Sequence, residues 1–120
     1  MLARRREEDG AATAELALGI PLLVALTAGL VWMLAVGAAQ VRVIDASREA
    51  ARAVSRGDDV ASAEAVALRI APDGARVRFE VGDTQVTVTT RARITGPGGL
   101  LASLPGVTVS AEAVALVESS

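Results

Sequence analysis

The sequence predicts an α+β protein in which a long N-terminal transmembrane helix continues into a polar helix, followed by a second helix and a three-stranded antiparallel sheet. Three observations predict it. From Leu16 to Val41 no residue is charged. Between Arg42 and Ala71 small apolar residues recur at helical spacing among charged ones. From Arg76 onward apolar and polar residues alternate with period two, the pattern of strands with one face buried.

The chain begins with Arg4, Arg5 and Arg6, balanced by Glu7, Glu8 and Asp9, so its first ten residues are formally neutral. The charge-free run that follows exceeds the roughly 20 apolar residues needed to cross a hydrocarbon core. A protein of 120 residues could not surround such a helix on every side. Pro21 lies inside the run and removes one helical hydrogen bond, an expected kink that membrane helices tolerate. Trp32 stands nearer the middle of the run than either end. A cleaved secretory signal is the rival reading, with Gly37-Ala38-Ala39 as a cleavage point and Gln40 as the new N-terminus. Its apolar region is, however, much longer than the roughly 7–15 residues of a signal peptide. Three arginines precede the run and Arg42, Arg48, Arg52 and Arg56 follow it, so the positive-inside count does not set an orientation.

Past Val41 the helix becomes polar, with Arg42/Asp45, Asp45/Arg48 and Glu49/Arg52 spaced as i,i+3 ion pairs. Val43, Ala46, Ala50 and Val54 form a stripe suited to close packing. Gly57 fits a helix stop, and Asp58 or Asp59 a cap for a helix over Val60–Ala71, although one long bent helix across Gly57 stays open. Pro72-Asp73-Gly74 reads as a turn. Val77, Phe79 and Val81 then share one face, as do Val86, Val88, Thr90, Ala92 and Ile94. A two-residue Gly82-Asp83 loop would pair Val81 with Thr84, Phe79 with Val86 and Val77 with Val88. Gly96-Pro97-Gly98-Gly99 breaks the chain, Leu100, Leu101 and Leu104 suggest a short turn or helix, and Val107–Val117 is the third strand. Arg and Thr on the outer sheet face serve solubility in this reading, with a partner docking there as the open alternative.

Composition excludes much chemistry. The chain is 52% apolar and 2% aromatic, with no His, Cys or Tyr. Imidazole bases, thiolate nucleophiles and the usual zinc and haem ligands are therefore missing. A net charge of -2 and two aromatics argue against nucleic-acid binding. Ser47, Ser55, Ser62, Ser103 and Ser110 have no histidine to activate them. Asp58, Asp59, Asp73 and Asp83 match no calcium loop, and the glycines near Pro97 lack the lysine of a phosphate loop. The expectation is a non-enzyme with no cofactor, no metal and no small-molecule substrate.

The junction before the apolar run is Gly10-Ala11-Ala12-Thr13-Ala14-Glu15. A carboxylate at the edge of a membrane helix is costly without a partner, and a cut after Gly10 would create an ammonium on Ala11. Gly10 followed by Glu15 and an apolar helix resembles the leader of type IV pilin-like proteins. The stretch from Gly10 to Leu23, with Val43-Ile-Asp-Ala-Ser-Arg-Glu-Ala-Ala-Arg-Ala-Val-Ser-Arg-Gly-Asp58, is similar to the TadE family of tight-adherence minor pilins. Pro97-Gly-Gly-Leu-Leu and Leu104-Pro-Gly-Val-Thr-Val-Ser-Ala look like the actinobacterial branch of that family. Leu16 stands where major pilins usually carry an aromatic, which favours a minor subunit.

The resemblance implies a leader at 1–10, a transmembrane helix at 11–41 and an exported α+β domain at 42–120. A prepilin peptidase would cut between Gly10 and Ala11 on the cytoplasmic side of the cell membrane. Glu15 would pair with an N-terminal amine as the helix packs among other pilin or pseudopilin subunits. Pro21 would kink that helix, and the C-terminal part would lie outside or in the pilus. The alternative from another class is a single-pass anchor carrying a binding or regulatory domain unrelated to pili.

Overall fold

A computed structural model describes residues 2–96 and 106–117 of the chain. Helix α1 spans Leu2–Ser55 and helix α2 Val60–Ile70; strands β1, β2 and β3 span Arg76–Val81, Gln85–Ile94 and Val107–Leu116. The architecture is the expected α+β one, with a three-stranded antiparallel sheet in the order β1-β2-β3. Contacts divide the chain into two units, residues 1–33 and 34–120. The expected turn or helix around Leu100, Leu101 and Leu104 lies outside the described residues.

The first unit is helix throughout its described length. Residues 2–10 do not form a separate coil: they belong to α1. In the second unit α1 ends where the glycine predicts. Gly57 takes φ +102°, its N–H bonds to the carbonyl of Val54, and the N–H of Asp58 reaches back to Ala53. These two bonds define a Schellman motif, which satisfies carbonyls that the last helical turn would otherwise leave bare. Two helices therefore form, not one bent one. Asp59 caps α2, its carboxylate accepting from the N–H of Ser62 at 3.0 Å. Pro72 to Ala75 closes a turn with Gly74 at φ +78°, a left-handed position of the kind a type II turn assigns to glycine.

The hairpin differs in register from the sequence expectation. Val81 pairs with Val86, Phe79 with Val88 and Val77 with Thr90, two residues further along β2 than expected. The two-residue loop is Asp83-Thr84, because Gly82 belongs to the ladder: its N–H donates to the Gln85 carbonyl at 2.8 Å. A Cβ on Gly82 would stand 3.2 Å from that carbonyl oxygen, so glycine permits the close pairing instead of making the turn. Side chains alternate with period two, so a slip of two leaves each apolar face where it was. Val86, Val88, Thr90 and Ala92 are buried as predicted. Of the expected ion pairs only Glu49/Arg52 is within 4.0 Å among the described residues, and Glu49 also meets Arg56, both at 3.8 Å. Asp45 is exposed and makes neither of its expected pairs, since water competes well for charges on an open helix face.

One face of the sheet receives α1 and α2. Ala46, Ala50, Ala51, Ala53 and Val54 of α1 gather with Ala63 and Ala67 of α2 over Val86 and Val88. A second cluster joins Ala39 and Val43 to Ala92 and Val109, with Val36 and Ile94 packed against it. The stripe of small residues is thus consumed within the chain. Ser47 and Thr90 are fully buried, their hydroxyl oxygens 2.7 Å apart, and Ser47 Oγ lies 3.1 Å from the Ala111 carbonyl. A hydroxyl has one proton. With that of Ser47 directed at Ala111, Thr90 supplies the bond between the hydroxyls. Helix α1 also reaches the outer edge of β3, where the carbonyls of Ser110 and Leu116 accept from Gln40 Nε2 and Ser55 Oγ.

Two predictions test this unit. Ser47→Ala strands the Thr90 hydroxyl in the core and should cost about 1–3 kcal/mol. Adding Thr90→Val should recover part of the loss, read by urea unfolding of the full chain in detergent micelles; strictly additive losses would show that the hydroxyls are not paired. The Asp59 carboxyl is held below its ordinary value of 3.8, first by the Ser62 hydroxyl and then by the Ser62 N–H. A depressed carboxylate adds stability above its unfolded pKa and loses it as pH falls through the lower folded value. Asp59→Asn keeps an acceptor but cannot titrate. The gap in melting temperature between wild type and this variant should therefore change below about pH 4 and be flat above it.

Candidate assembly site on helix α1

The stretch with the strongest chemical signal is the start of the apolar run. Alanine and leucine, both strong helix formers, dominate residues 11–18, so an unbroken helix here follows from propensity alone. Its apolar side chains face outward: Leu18 is 77% and Leu34 74% exposed. A helix hydrophobic on all sides and unburied in its own chain requires another apolar medium. Residues of α1 are long and apolar enough to cross a membrane, which suggests single-pass membrane anchoring.

Gly10 lies in the body of α1, and a Cβ built on it would meet nothing within 4 Å. Neither a turn nor a close approach demands glycine at this point, although glycine costs a helix interior about 0.5–1 kcal/mol relative to alanine. Gly19, Gly29 and Gly37 are equally open. Within the apolar run, bare backbone of this kind allows close approach of neighbouring helices. Gly10 stands before the run, among polar residues, where that explanation has least force. Thr13 spans the Gly10–Ala11 bond, its hydroxyl donating to the Asp9 carbonyl at 2.8 Å. Sequence reasoning passed over this back-bond, although a threonine four residues after a helical carbonyl is the usual geometry for one.

Ala11 and Glu15 stand one turn apart, on one face of the helix. Glu15 is exposed and no arginine nitrogen lies within 4.0 Å of it among the described residues. Helix α1 runs unbroken through Pro21, whose ring nitrogen deprives the Ala17 carbonyl of its helical donor. Trp32 is half-buried, and its indole N–H is shielded from solvent with no acceptor among the described residues. These positions assemble no catalytic constellation. No three His, Cys, Asp or Glu groups gather where they could hold a metal among the described residues.

No curated protein and no solved structure matches the chain. A family model does: that of TadE-like protein matches residues 10–52, beginning at the glycine just described and ending on the part of α1 that packs on the sheet. That match identifies the segment as TadE-like, consistent with a tight-adherence, pilin-related protein.

Proposed function

We propose that the chain is a minor pilin, or pseudopilin, of a tight-adherence, type IV pilus-like assembly system, cut after Gly10 by a prepilin peptidase. The coarser statement, involvement in tight-adherence pilus assembly, is what the family match suggests. The observation that carries the finer one is the placement of Glu15, without an arginine within 4.0 Å among the described residues and one turn from Ala11, at the edge of an apolar helix.

Cleavage changes the physics of that turn. In the uncut chain the Ala11 nitrogen is an amide in the helix and carries no charge. Once released it is an ammonium at a new helix N-terminus, on the face that Glu15 shares. The carboxylate then lies in the first turn or so, where the helix dipole favours an anion by about 0.3–1 kcal/mol. It can be neutralised by its own ammonium or by that of a neighbouring helix. The second arrangement sets the axial register between subunits, because a carboxylate at membrane depth is costly when unpaired.

In this reading the N-terminus faces the cytoplasm and residues 42–120 are outside the cell membrane. The apolar run waits in the bilayer and then packs among other pilin helices. The role is structural, with other pilin subunits and the peptidase as partners. Expressed with its peptidase, the chain should lose its first ten residues and begin at Ala11, read by N-terminal sequencing and intact mass. Gly10→Leu should leave it uncut, and Glu15→Gln should be cut yet fail to enter the fibre. A mature chain starting at Met1 or Gln40 would overturn the proposal.

A further inference from the structure

The outer face of the sheet, away from the helices, is not uniformly polar. Arg76, Arg78, Arg91 and Arg93 all project from it and are exposed. Arg76 stands directly opposite Arg91 in the β1–β2 ladder, and Arg93 follows two residues on. Like charges facing across strands are destabilising. Only Arg78 has a carboxylate within 4.0 Å among the described residues, that of Glu80 at 3.9 Å. Between these side chains the surface dips into a shallow depression lined also by Thr108 and Ser110 and by two carboxylates, Glu80 and Glu112, so four arginines face two acids there. Arg93 is laid over bare backbone: a Cβ on Gly106 would stand 2.7 Å from its Nε.

The position of this face along α1 gives it meaning. Arg91 and Arg93 flank Ala92, whose inner side packs with Ala39 and Val43, while Val36 and Ile94 close the same cluster. Gln40, the first polar residue near the end of the apolar run, bonds to Ser110, the register partner of Arg91. The arginine end of the sheet is therefore level with the place where the apolar run stops. Arg42 is exposed at that level too, and α2 ends toward it with Arg69 in its last turn. Glu112, the register partner of Thr89, shares the depression with the arginines, and Asp73 and Asp45 are exposed at the adjoining turn and helix. Glu80, Asp83, Asp58 and Asp59 lie toward the opposite end, near the hairpin and the α1–α2 junction. Six or seven strand residues separate the two ends, roughly 20 Å. That is about twice the distance over which physiological salt screens a charge.

We propose that this arginine end docks on the anionic phospholipid headgroups beside the anchor, so that the folded unit lies against the bilayer surface instead of hanging from α1. The proposal rests on the exposed part of the apolar run, ahead of Val36, crossing the membrane, and adds to it a second, peripheral contact. Headgroup phosphates would sit over the Arg76–Arg91 pair and relieve the repulsion that the fold alone does not. Each arginine at an anionic surface shifts such an equilibrium about fivefold, and the effect fades within a Debye length.

The chain has no cysteine, so a single spin label can be placed at will. Full-length protein carrying Thr108→Cys, beside Arg93, or Gln85→Cys, at the far end, is reconstituted in vesicles bearing headgroup-chelated Ni²⁺. The lipid is phosphatidylcholine with or without phosphatidylglycerol. Relaxation of the label at position 108 should rise with phosphatidylglycerol, about fivefold or more in the docked population. The label at position 85 should not respond. Arg91→Gln with Arg93→Gln should abolish the rise, Arg91→Lys with Arg93→Lys should keep it, and about 1 M salt should suppress it. Equal relaxation in both lipids, or a greater effect at position 85, overturns the proposal while the anchor stands, provided the chain resists alkaline carbonate extraction. Extraction by carbonate overturns the anchor reading itself, and the docking with it.

Discussion

Helix α1 lies on the sheet through a face made mostly of alanine, with Val43, Ser47 and Val54 among it. Ala46, Ala50, Ala51 and Ala53 present single methyl groups, and α2 answers with Ala63 and Ala67. Larger side chains there would lift the helix off Val86 and Val88, the fully buried valines of β2. Ser47 would then lose contact with Thr90 and Ala111, and Gln40 and Ser55 would no longer reach the edge of β3. The close approach is therefore the constraint on which the polar links of the unit depend. It also limits the apolar area each residue buries. With Phe79 only half-buried, a small core of this kind draws much of its definition from hydrogen bonds with narrow geometry.

The order of elements and their inward faces were legible because periodicity reports them directly. Val77 and Phe79, and then Val86 to Ala92, point inward because they share the parity of their strands. The Gly57 stop was legible for a similar reason, since few residues other than glycine accept φ +102°. The hairpin register was not. Parity is the same for the expected and the observed pairing, so hydrophobic matching cannot separate them. What decides between them is Gly82, which reads as a turn residue but serves as a place where the chain comes close. The Arg42–Asp45–Arg48 series was misleading, because i,i+3 spacing permits a contact without making it favourable in water.

Different parts of the candidate site were legible for different reasons. Gly10, Glu15 and the apolar run stand out in the sequence because charge is rare there and its position is simple to read. Their helical setting adds the shared face of Ala11 and Glu15 and the back-bond of Thr13. Period-two alternation puts the arginines on the outer sheet face but does not show which of them meet across strands. Arg76 and Arg91 are far apart in sequence, and each reads as an ordinary solvated strand residue. Only the ladder sets them opposite one another, and only the bond from Gln40 to Ser110 shows which end of the sheet they occupy.

The two bonds from α1 to the rim of β3 have a consequence for how copies of this chain can meet. A bare strand rim is a template on which a further strand can form, and proteins that assemble at high density must guard against it. Gln40 and Ser55 occupy the carbonyls of Ser110 and Leu116 and leave less of that template open. The opposite rim, β1, is short and carries Arg76, Arg78 and Glu80. Edge-to-edge addition of a further strand is thereby hindered at both rims. The long apolar helix is left as the principal adhesive surface of the molecule.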